Sequence, residues 1–220
     1  QPGERVAIIG PNGAGKSTLF NVISGFLSVD QGEIYLGGRL MNAVPLYGRA
    51  RWIAKVMQDP KLGTMEALSI EENLALAYKR GQSRGLLPFV TARRRVFFQE
   101  KLALLGMGLE NRLKEPVAHL SGGQRQALSL IMALVAESQV LLLDEITAAL
   151  DPKIAQVVVE LAAHLVCAEG RTCLMITHNM AHALHYGHRT VVLREGVVAQ
   201  SFSGDQRARL TPLSLAAELE

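Results

Sequence analysis

Cysteine is scarce in this sequence, and long hydrophobic runs are missing from it. Among 220 residues only Cys167 and Cys173 are cysteines, and they do not form a CxxC pair. This pattern argues against a disulfide framework and favours two free, mostly buried thiols in a reducing compartment. No apolar run approaches the length of a membrane span, and no signal-peptide pattern opens the sequence. We therefore expect any role at a membrane to depend on a partner, on its cytoplasmic side.

A strong excess of charge is also missing. The net charge is +3, from 23 basic and 20 acidic residues, which is too small to indicate nucleic-acid binding by itself. The basic stretches KRGQSR and TARRRVF are interpreted as solvated faces, with an acidic membrane surface or partner as the less favoured alternative. The sequence opens as QPGERVAIIG, without an initiator Met, so we expect further sequence upstream.

Strand and helix patterns alternate at both ends of the chain and enclose a helical block. RVAIIG, VLLLD and TCLMITH are short apolar runs typical of buried strands, and each precedes a helical pattern. Between residues 61 and 137 the pattern is helical, with Ser69 and Glu72 forming a capping box. These patterns predict an α/β fold with a mostly parallel sheet. Residues 1–60 and 138–220 would form its core, and 61–137 an inserted helical subdomain.

The stretch GPNGAGKST fits the phosphate-loop pattern GxxxxGK[ST] and lies between a predicted strand and a predicted helix. Backbone N–H groups in such a loop surround phosphates, the lysine reaches the β- and γ-phosphates, and the serine hydroxyl binds Mg²⁺. A glycine-rich turn without a ligand would explain neither the lysine nor the spacing. The predicted nucleotide-binding residues here are Gly10, Pro11, Asn12, Gly13, Ala14, Gly15, Lys16, Ser17 and Thr18.

Two adjacent carboxylates end the apolar run VLLLDE. They emerge at the carboxyl end of a buried strand, where ligands bind in such sheets. Asp144 is predicted to hold the Mg²⁺ shell through water, and Glu145 to act as general base on the attacking water. A strand end with solvated acids is the alternative, and the phosphate loop weakens it.

The helix start LSGGQ carries two glycines that a helix disfavours. From the separate helical block it cannot reach the nucleotide of its own chain, but it can reach that of a second copy. We therefore predict a head-to-tail dimer in which each ATP lies between one phosphate loop and the partner's Ser121, Gly122, Gly123 and Gln124. Ser121 as a plain N-cap would leave the glycines and Gln124 unexplained.

Together these motifs resemble the ATP-binding subunit of an ABC transporter over nearly the whole chain. The resemblance implies a P-loop NTPase with a RecA-like core, ATP and Mg²⁺ as cofactors, and catalytic roles for Lys16 and Glu145. It implies that Gln58, in VMQDP, senses Mg²⁺ and the membrane partner. Asp151, in AALD, would lie in the D-loop at the dimer seam, and His178, in MITHNM, would contact the γ-phosphate.

A finer resemblance concerns the solute. RARWIAKVMQDPKLG and LLLDEITAALDPK are similar to ATPases of amino-acid importers of the tryptophan and tyrosine type. KEPVAHLSGGQ lacks the acidic loop that many exporters carry. Ile146 replaces the proline that usually follows the catalytic glutamate, with little expected effect. The aromatic residue that usually stacks on adenine is not in this sequence, so none is named.

The favoured hypothesis is an energy-coupling ATPase, peripheral on the cytoplasmic face of the membrane. Its predicted partners are a second copy, transmembrane permease subunits and, through them, a solute-binding protein. The permease would contact a groove formed by Gln58, Asp59, Pro60, Leu62 and Met65. A soluble ABC-type ATPase acting on nucleic acid or translation is the alternative, although long coiled coils and a tandem cassette are absent. Glu145 argues against a third possibility, a nucleotide-binding module without turnover.

One group of histidines has spacings that fit zinc. His178, His182, His185 and His188 are spaced by three or four residues. Because no cysteine or acid joins them in the sequence pattern, we expect the last three to be surface or packing residues.

Overall fold

The computed structural model of the chain describes residues 1–82, 89–148, 150–168 and 170–219. Ala149 of AALD and part of the basic stretch KRGQSR lie outside the described residues. The strands are β1 (Arg5–Ile9), β2 (Tyr35–Leu36), β3 (Arg39–Leu40), β4 (Ile53–Val56), β5 (Val140–Asp144), β6 (Thr172–Ile176), β7 (Arg189–Arg194) and β8 (Val197–Ser203). The helices are α1 (Lys16–Ser24), α2 (Leu46–Arg49), α3 (Pro60–Gly63), α4 (Ile70–Tyr78), α5 (Ala92–Ala103), α6 (Gly122–Leu134), α7 (Pro152–Ala168), α8 (Met180–Tyr186), α9 (Gly204–Ala208) and α10 (Pro212–Ala217).

The main sheet of the described residues has the strand order β4-β5-β6-β1-β7-β8. Neighbouring strands from β4 to β7 pair in parallel, and β8 returns antiparallel to β7. The predicted mostly parallel sheet is therefore confirmed. Because the strands β4, β5, β6 and β1 are parallel, their carboxyl ends lie along one edge of the sheet.

The strands at the centre of the sheet are buried on both faces. In β5 all five residues are buried, and the side chains of its four apolar residues alternate between two apolar clusters. Leu141 and Leu143 join the cluster that contains residues of α4, α5, α6 and α7, whereas Val140 and Leu142 pack with residues of α1 on the opposite face. This alternation follows from the two-residue period of a strand. One apolar cluster contains residues of both the sheet and the helical block, so the core does not separate them into two units. The predicted subdomain boundaries at residues 61 and 137 therefore stay a prediction.

Side-chain caps hold the starts of α4 and α7. The Ser69–Glu72 capping box at α4 is present, as the sequence predicts. Asp151 accepts a hydrogen bond from the Ile154 amide at 3.1 Å and so caps α7. Such caps satisfy amides that the first helical turn leaves without partners.

Two guanidinium groups bind carbonyl groups at the C-terminal end of α6. Arg80 donates to the Ala133 carbonyl at 3.3 Å, and Arg171 donates to the Leu134 and Ala136 carbonyls at 3.1 and 3.2 Å. Burial, together with the nearby Arg171, lowers the pKa of Arg80 to about 10. Cations are favourable at a helix C-terminus, where carbonyl groups lack helical partners. The end of the helix is thus tied to one residue of the helical block, Arg80, and to one residue of the predicted core, Arg171.

The expectation of two mostly buried thiols is wrong for one of them. Both cysteines are free, but Cys167 is exposed and Cys173 is buried. Cys167 lies near the end of α7, next to the buried pair Leu165 and Val166, on the face that the helical period turns outward. Burial in β6 raises the pKa of Cys173 to about 12.

Arg49 connects α1 to the small β2–β3 hairpin from a fully buried position. Its guanidinium donates to the carbonyl oxygens of Val22 and Ile23, at the end of α1, both at 2.8 Å. It also donates to the Met41 carbonyl at 2.7 Å and the Val44 carbonyl at 2.8 Å. One side chain therefore satisfies carbonyl groups from two separate parts of the chain.

We expect Arg49→Met to lower the free energy of unfolding by about 2–4 kcal/mol, because it leaves buried carbonyl groups without donors. Arg51→Met is the control, since Arg51 is exposed and its guanidinium lies 5.8 Å from the Trp52 ring. That change should cost less than about 1 kcal/mol. Urea unfolding measures both variants, and equal midpoints would contradict the role assigned to Arg49.

Candidate active site

The phosphate loop lies between β1 and α1 and packs against the terminal β7–β8 hairpin. A Cβ atom at Gly10 would lie 2.3 Å from the Leu193 carbonyl oxygen, so no side chain fits there. Gly13 and Gly15 have φ angles of 80° and 92°, which side chains disfavour. The Gly196 amide donates to the Ala14 carbonyl at 3.1 Å. The loop therefore needs its glycines for close approach and for left-handed backbone.

Lys16 is buried within the loop. Its ammonium group donates to the Gly10 carbonyl at 2.8 Å and to the Pro11 carbonyl at 2.9 Å. Burial lowers the pKa of Lys16, and the nearby carboxylates of Glu145 and Asp144 oppose this effect. An ammonium has three donors, so one remains for a further acceptor such as a phosphate oxygen.

Glu145 lies between Gln58 and His178 at the carboxyl edge of the sheet. Its Oε1 is 2.6 Å from His178 Nε2, and its Oε2 accepts a hydrogen bond from Gln58 Nε2 at 3.1 Å. These residues follow three neighbouring strands, β5, β6 and β4. The fold thus brings together three of the predicted catalytic residues, which are far apart in sequence.

The backbone of Glu145 has a left-handed conformation, with φ of 47°. For a residue with a side chain this costs about 1–2 kcal/mol, and such strain concentrates at functional sites. The Glu145 amide donates to the Ile176 carbonyl at 3.1 Å, which holds the turn against β6. The next residue, Ile146, is 3% exposed and packs in the main apolar cluster. It therefore fills core space directly after the glutamate, while the carboxylate lies outside that core.

Asp144 is buried at the end of β5 beside a lysine that sequence reasoning did not single out. Its Oδ2 is 3.6 Å from the Nζ of Lys55, which also donates to Asn21 Oδ1 at 2.9 Å. Within the described residues, Asp144 Oδ1 is buried without a hydrogen-bond partner. Burial raises the pKa of Asp144, and Lys55 opposes this. The sequence does contain a signal for Lys55: it lies within the apolar strand IAKV, and a buried lysine is nearly always paired with a carboxylate or another acceptor.

The signature turn at the start of α6 contains a complete capping box. Ser121 accepts from the Gln124 amide, and the Gln124 side chain accepts from the Ser121 amide, both at 3.2 Å. A Cβ at Gly123 would approach the Ile154 side chain at 3.1 Å, whereas one at Gly122 would meet nothing within 4 Å. The expectation that a plain cap leaves Gln124 unexplained is therefore wrong, because Gln124 completes the capping box. The cap does not account for the glycines: the approach of Ile154 favours glycine at position 123, and Gly122 still requires another reason.

The histidines form no metal site in the parts of the chain that the structure describes. No group of three or more potential His, Cys, Asp or Glu ligands occurs there. His182 and His185 instead make edge-on ring contacts with Tyr186, at centroid distances of 5.9 and 4.6 Å. Burial lowers the pKa of His182.

A family model described as ABC transporter matches residues 1–148 of this chain. The chain belongs to the ABC transporter family. The resemblance drawn from the sequence motifs is thus confirmed, and the chain is an ATPase of this family. A tyrosine transport ATP-binding protein of Clostridioides difficile is 41% identical over 96% of this chain and 84% of its own length. A thiamine import ATP-binding protein of Yersinia pseudotuberculosis is 36% identical over 89% and 78%, respectively.

Solved ABC cassettes have the same fold. The cassette MJ0796, in a dimeric post-hydrolysis state bound to ADP and Pi, superposes with a TM-score of 0.80. It is 29% identical, and the match covers 92% of this chain and 86% of that one. The cassette MJ1267, in its ADP conformation, has a TM-score of 0.79 at 26% identity. That match covers 99% of our chain and 87% of the MJ1267 chain. In the described ranges of our chain, no helix combines the length and the apolar character that crossing a membrane requires.

We expect Gly10→Ala to reduce both stability and ATP affinity, because the new methyl group would displace the Leu193 carbonyl or the phosphate loop. Overpacking of this kind costs about 1–3 kcal/mol. Gly122→Ala is the control for stability and should change the free energy of unfolding by less than about 1 kcal/mol. Urea unfolding and ATP titration measure the effects, and wild-type values for Gly10→Ala would refute the packing argument.

Proposed function

We propose that this chain is the ATP-hydrolysing subunit of an ABC importer, and that Glu145 is its general base. The observation that carries this proposal is the Glu145 carboxylate, held by Gln58 and His178 beside the phosphate loop. A carboxylate has about four lone-pair sites, so it can accept a proton from water while both contacts persist. The left-handed backbone of Glu145 points to a position under functional constraint.

Each residue near the nucleotide has a separate task in this proposal. Backbone N–H groups of residues 10–18, other than Pro11, and the ammonium of Lys16 bind the phosphates. His178 orients the Glu145 carboxylate, supported by their 2.6 Å contact, and would contact the γ-phosphate. Glu145 takes the proton from the water that attacks the γ-phosphorus, and the bond to the β–γ bridging oxygen breaks.

The oxygen donors at the edge of β5 fit a magnesium ion. Asp144 Oδ1 is buried and has no hydrogen-bond partner among the described residues, and the Ser17 hydroxyl is exposed on α1. Hard oxygen donors of this kind, completed by waters and phosphate oxygens, suit Mg²⁺. Ser17, Asp144 through water, and Gln58 would hold the ion, which neutralises charge on the phosphates when bound.

We propose that two copies share each nucleotide, with Ser121, Gly122, Gly123 and Gln124 of one copy closing on the phosphate loop of the other. Gly122 supports this because it opens toward free space, where a ligand can approach its backbone. The helix start adds favourable partial charge for phosphate. Asp151, exposed beside the signature turn, would lie at the seam. The dimeric state described for MJ0796 is consistent with this arrangement.

The solute is proposed to be amino-acid-like, since the tyrosine transport relative has a larger identity and coverage than the thiamine import relative. The chain would work on the cytoplasmic face of the membrane, bound to permease subunits that receive solute from a binding protein. Leu62 and Met65 follow Gln58 and are 75% and 58% exposed, which suits a permease contact. We prefer transport to the nucleic-acid alternative because the relatives named for a function are transport proteins.

We expect Glu145→Gln to retain ATP binding, to lower the hydrolysis rate by about 10²–10⁴-fold, and to accumulate an ATP-bound dimer. The amide cannot accept the proton but keeps the shape of the side chain. Glu137→Gln, at the opposite end of β5, is the control and should hydrolyse ATP normally. Phosphate release and gel filtration measure these properties, and a parental rate for Glu145→Gln would show that Glu145 is not the base.

We expect the double change Leu62→Asp and Met65→Asp to abolish co-purification with the permease while the ATPase activity of the isolated chain stays normal. Two charges cannot be buried in an apolar contact without large desolvation cost. Leu213→Asp is the control, because Leu213 is 83% exposed in α10. Retention of the permease by the double variant would place the contact elsewhere.

A further inference from the structure

The helix that begins with the signature turn holds the segment that follows Gln58. Arg125, one residue after the signature, is 6% exposed and lies on α6. Its Nε donates to Thr64 Oγ1 at 2.6 Å, and its Nη1 donates to Glu66 Oε1 at 2.5 Å. One buried guanidinium therefore ties the signature helix to residues about 60 positions earlier in the chain.

Neighbouring side chains of α6 hold the rest of this segment. Gln126 donates to the Met57 carbonyl at 3.3 Å, directly before Gln58. A Cβ at Gly63 would lie 3.1 Å from Ser129 Oγ, so the backbone there packs closely on the helix. Contacts from one side of α6 thus reach both ends of the stretch 57–66.

We propose that Arg125 is a positioning residue that makes the signature turn and the segment 57–66 move as one body. This inference rests on the proposed function, in which the signature turn binds the partner's nucleotide and Leu62 and Met65 contact the permease. A shift of the signature turn on ATP binding is then passed to the permease contact without an intervening flexible joint. The coupling is reciprocal, so permease contact also biases the signature turn.

The chemistry of the contact suits this task. The Arg125 guanidinium is rigid and planar, so it fixes the direction of two partners at once. Thr64 is buried, and its hydroxyl donates to the Pro60 carbonyl at 2.8 Å, which connects the anchor to α3. Glu66 is half exposed, and its hydrogen bond from Arg125 lowers the pKa of its carboxyl. The pair therefore stays charged at neutral pH.

Amide hydrogen exchange in the Glu145→Gln background tests the inference. For each variant, the exchange protection factor of residues 59–66 is measured in the ATP-bound dimer and without nucleotide. The ratio of the two factors is the ATP-dependent gain in protection. We expect ATP to protect this segment in the parent and Arg125→Met to reduce that gain by about 10-fold, within the range of allosteric couplings. Dividing by the nucleotide-free value removes any purely structural loosening.

Two further variants and one control sharpen the test. The double change Thr64→Val and Glu66→Gln removes the same contacts from the other side and should reproduce the loss without altering α6. Arg125→Lys keeps the charge and should restore part of the gain. Arg112→Met is the matched control, because Arg112 pairs with Glu115 at 2.6 Å within the same helical block but does not contact the segment 57–66. It should retain the parental gain.

The outcomes separate this inference from the proposed function. If the Glu145→Gln parent forms no dimer with ATP, the shared nucleotide site is wrong and the inference fails with it. If the dimer forms and Arg125→Met keeps the full ATP-dependent protection, only the inference is overturned. A loss in Arg125→Met that the Thr64→Val and Glu66→Gln double variant does not reproduce would also overturn it.

Discussion

The parallel pairing of the central strands is the constraint on which the active site depends. Strands β4, β5, β6 and β1 are neighbours and point the same way, so the residue that follows each strand lies on one edge. Gln58, Glu145 and His178 meet there beside the phosphate loop. The apolar side chains that bury these strands on both faces fix the register, because a shift by one residue would turn each side chain to the opposite face.

The site also depends on backbone that the rest of the fold must hold in place. Gly10 is in contact distance of the Leu193 carbonyl, so the terminal hairpin sets the position of the phosphate loop. Glu145 is held in a left-handed conformation by the end of β6 and by the buried Ile146. Packing elsewhere offsets such strain, and these contacts set the direction in which the Glu145 side chain leaves the backbone.

Side-chain bonds from arginine to distant segments give the fold its internal connections. Arg49 binds carbonyl groups of α1 and the small hairpin, Arg80 and Arg171 bind the end of α6, and Arg125 binds the segment after Gln58. These ties replace regular backbone pairing between elements that do not share a sheet. Helix α6 is thus held at both ends, by Arg125 near its start and by Arg80 and Arg171 at its end.

The sequence by itself determined the family, the phosphate loop and the pair Asp144–Glu145, because these depend on local spacing and on apolar runs that allow few conformations. It also predicted the mostly parallel sheet, since strands that alternate with helices pair in parallel. Only the tertiary structure decided that Lys55 faces Asp144 and that Arg125 reaches Thr64. Those contacts join residues that are distant in sequence, and no local pattern sets which of them meet.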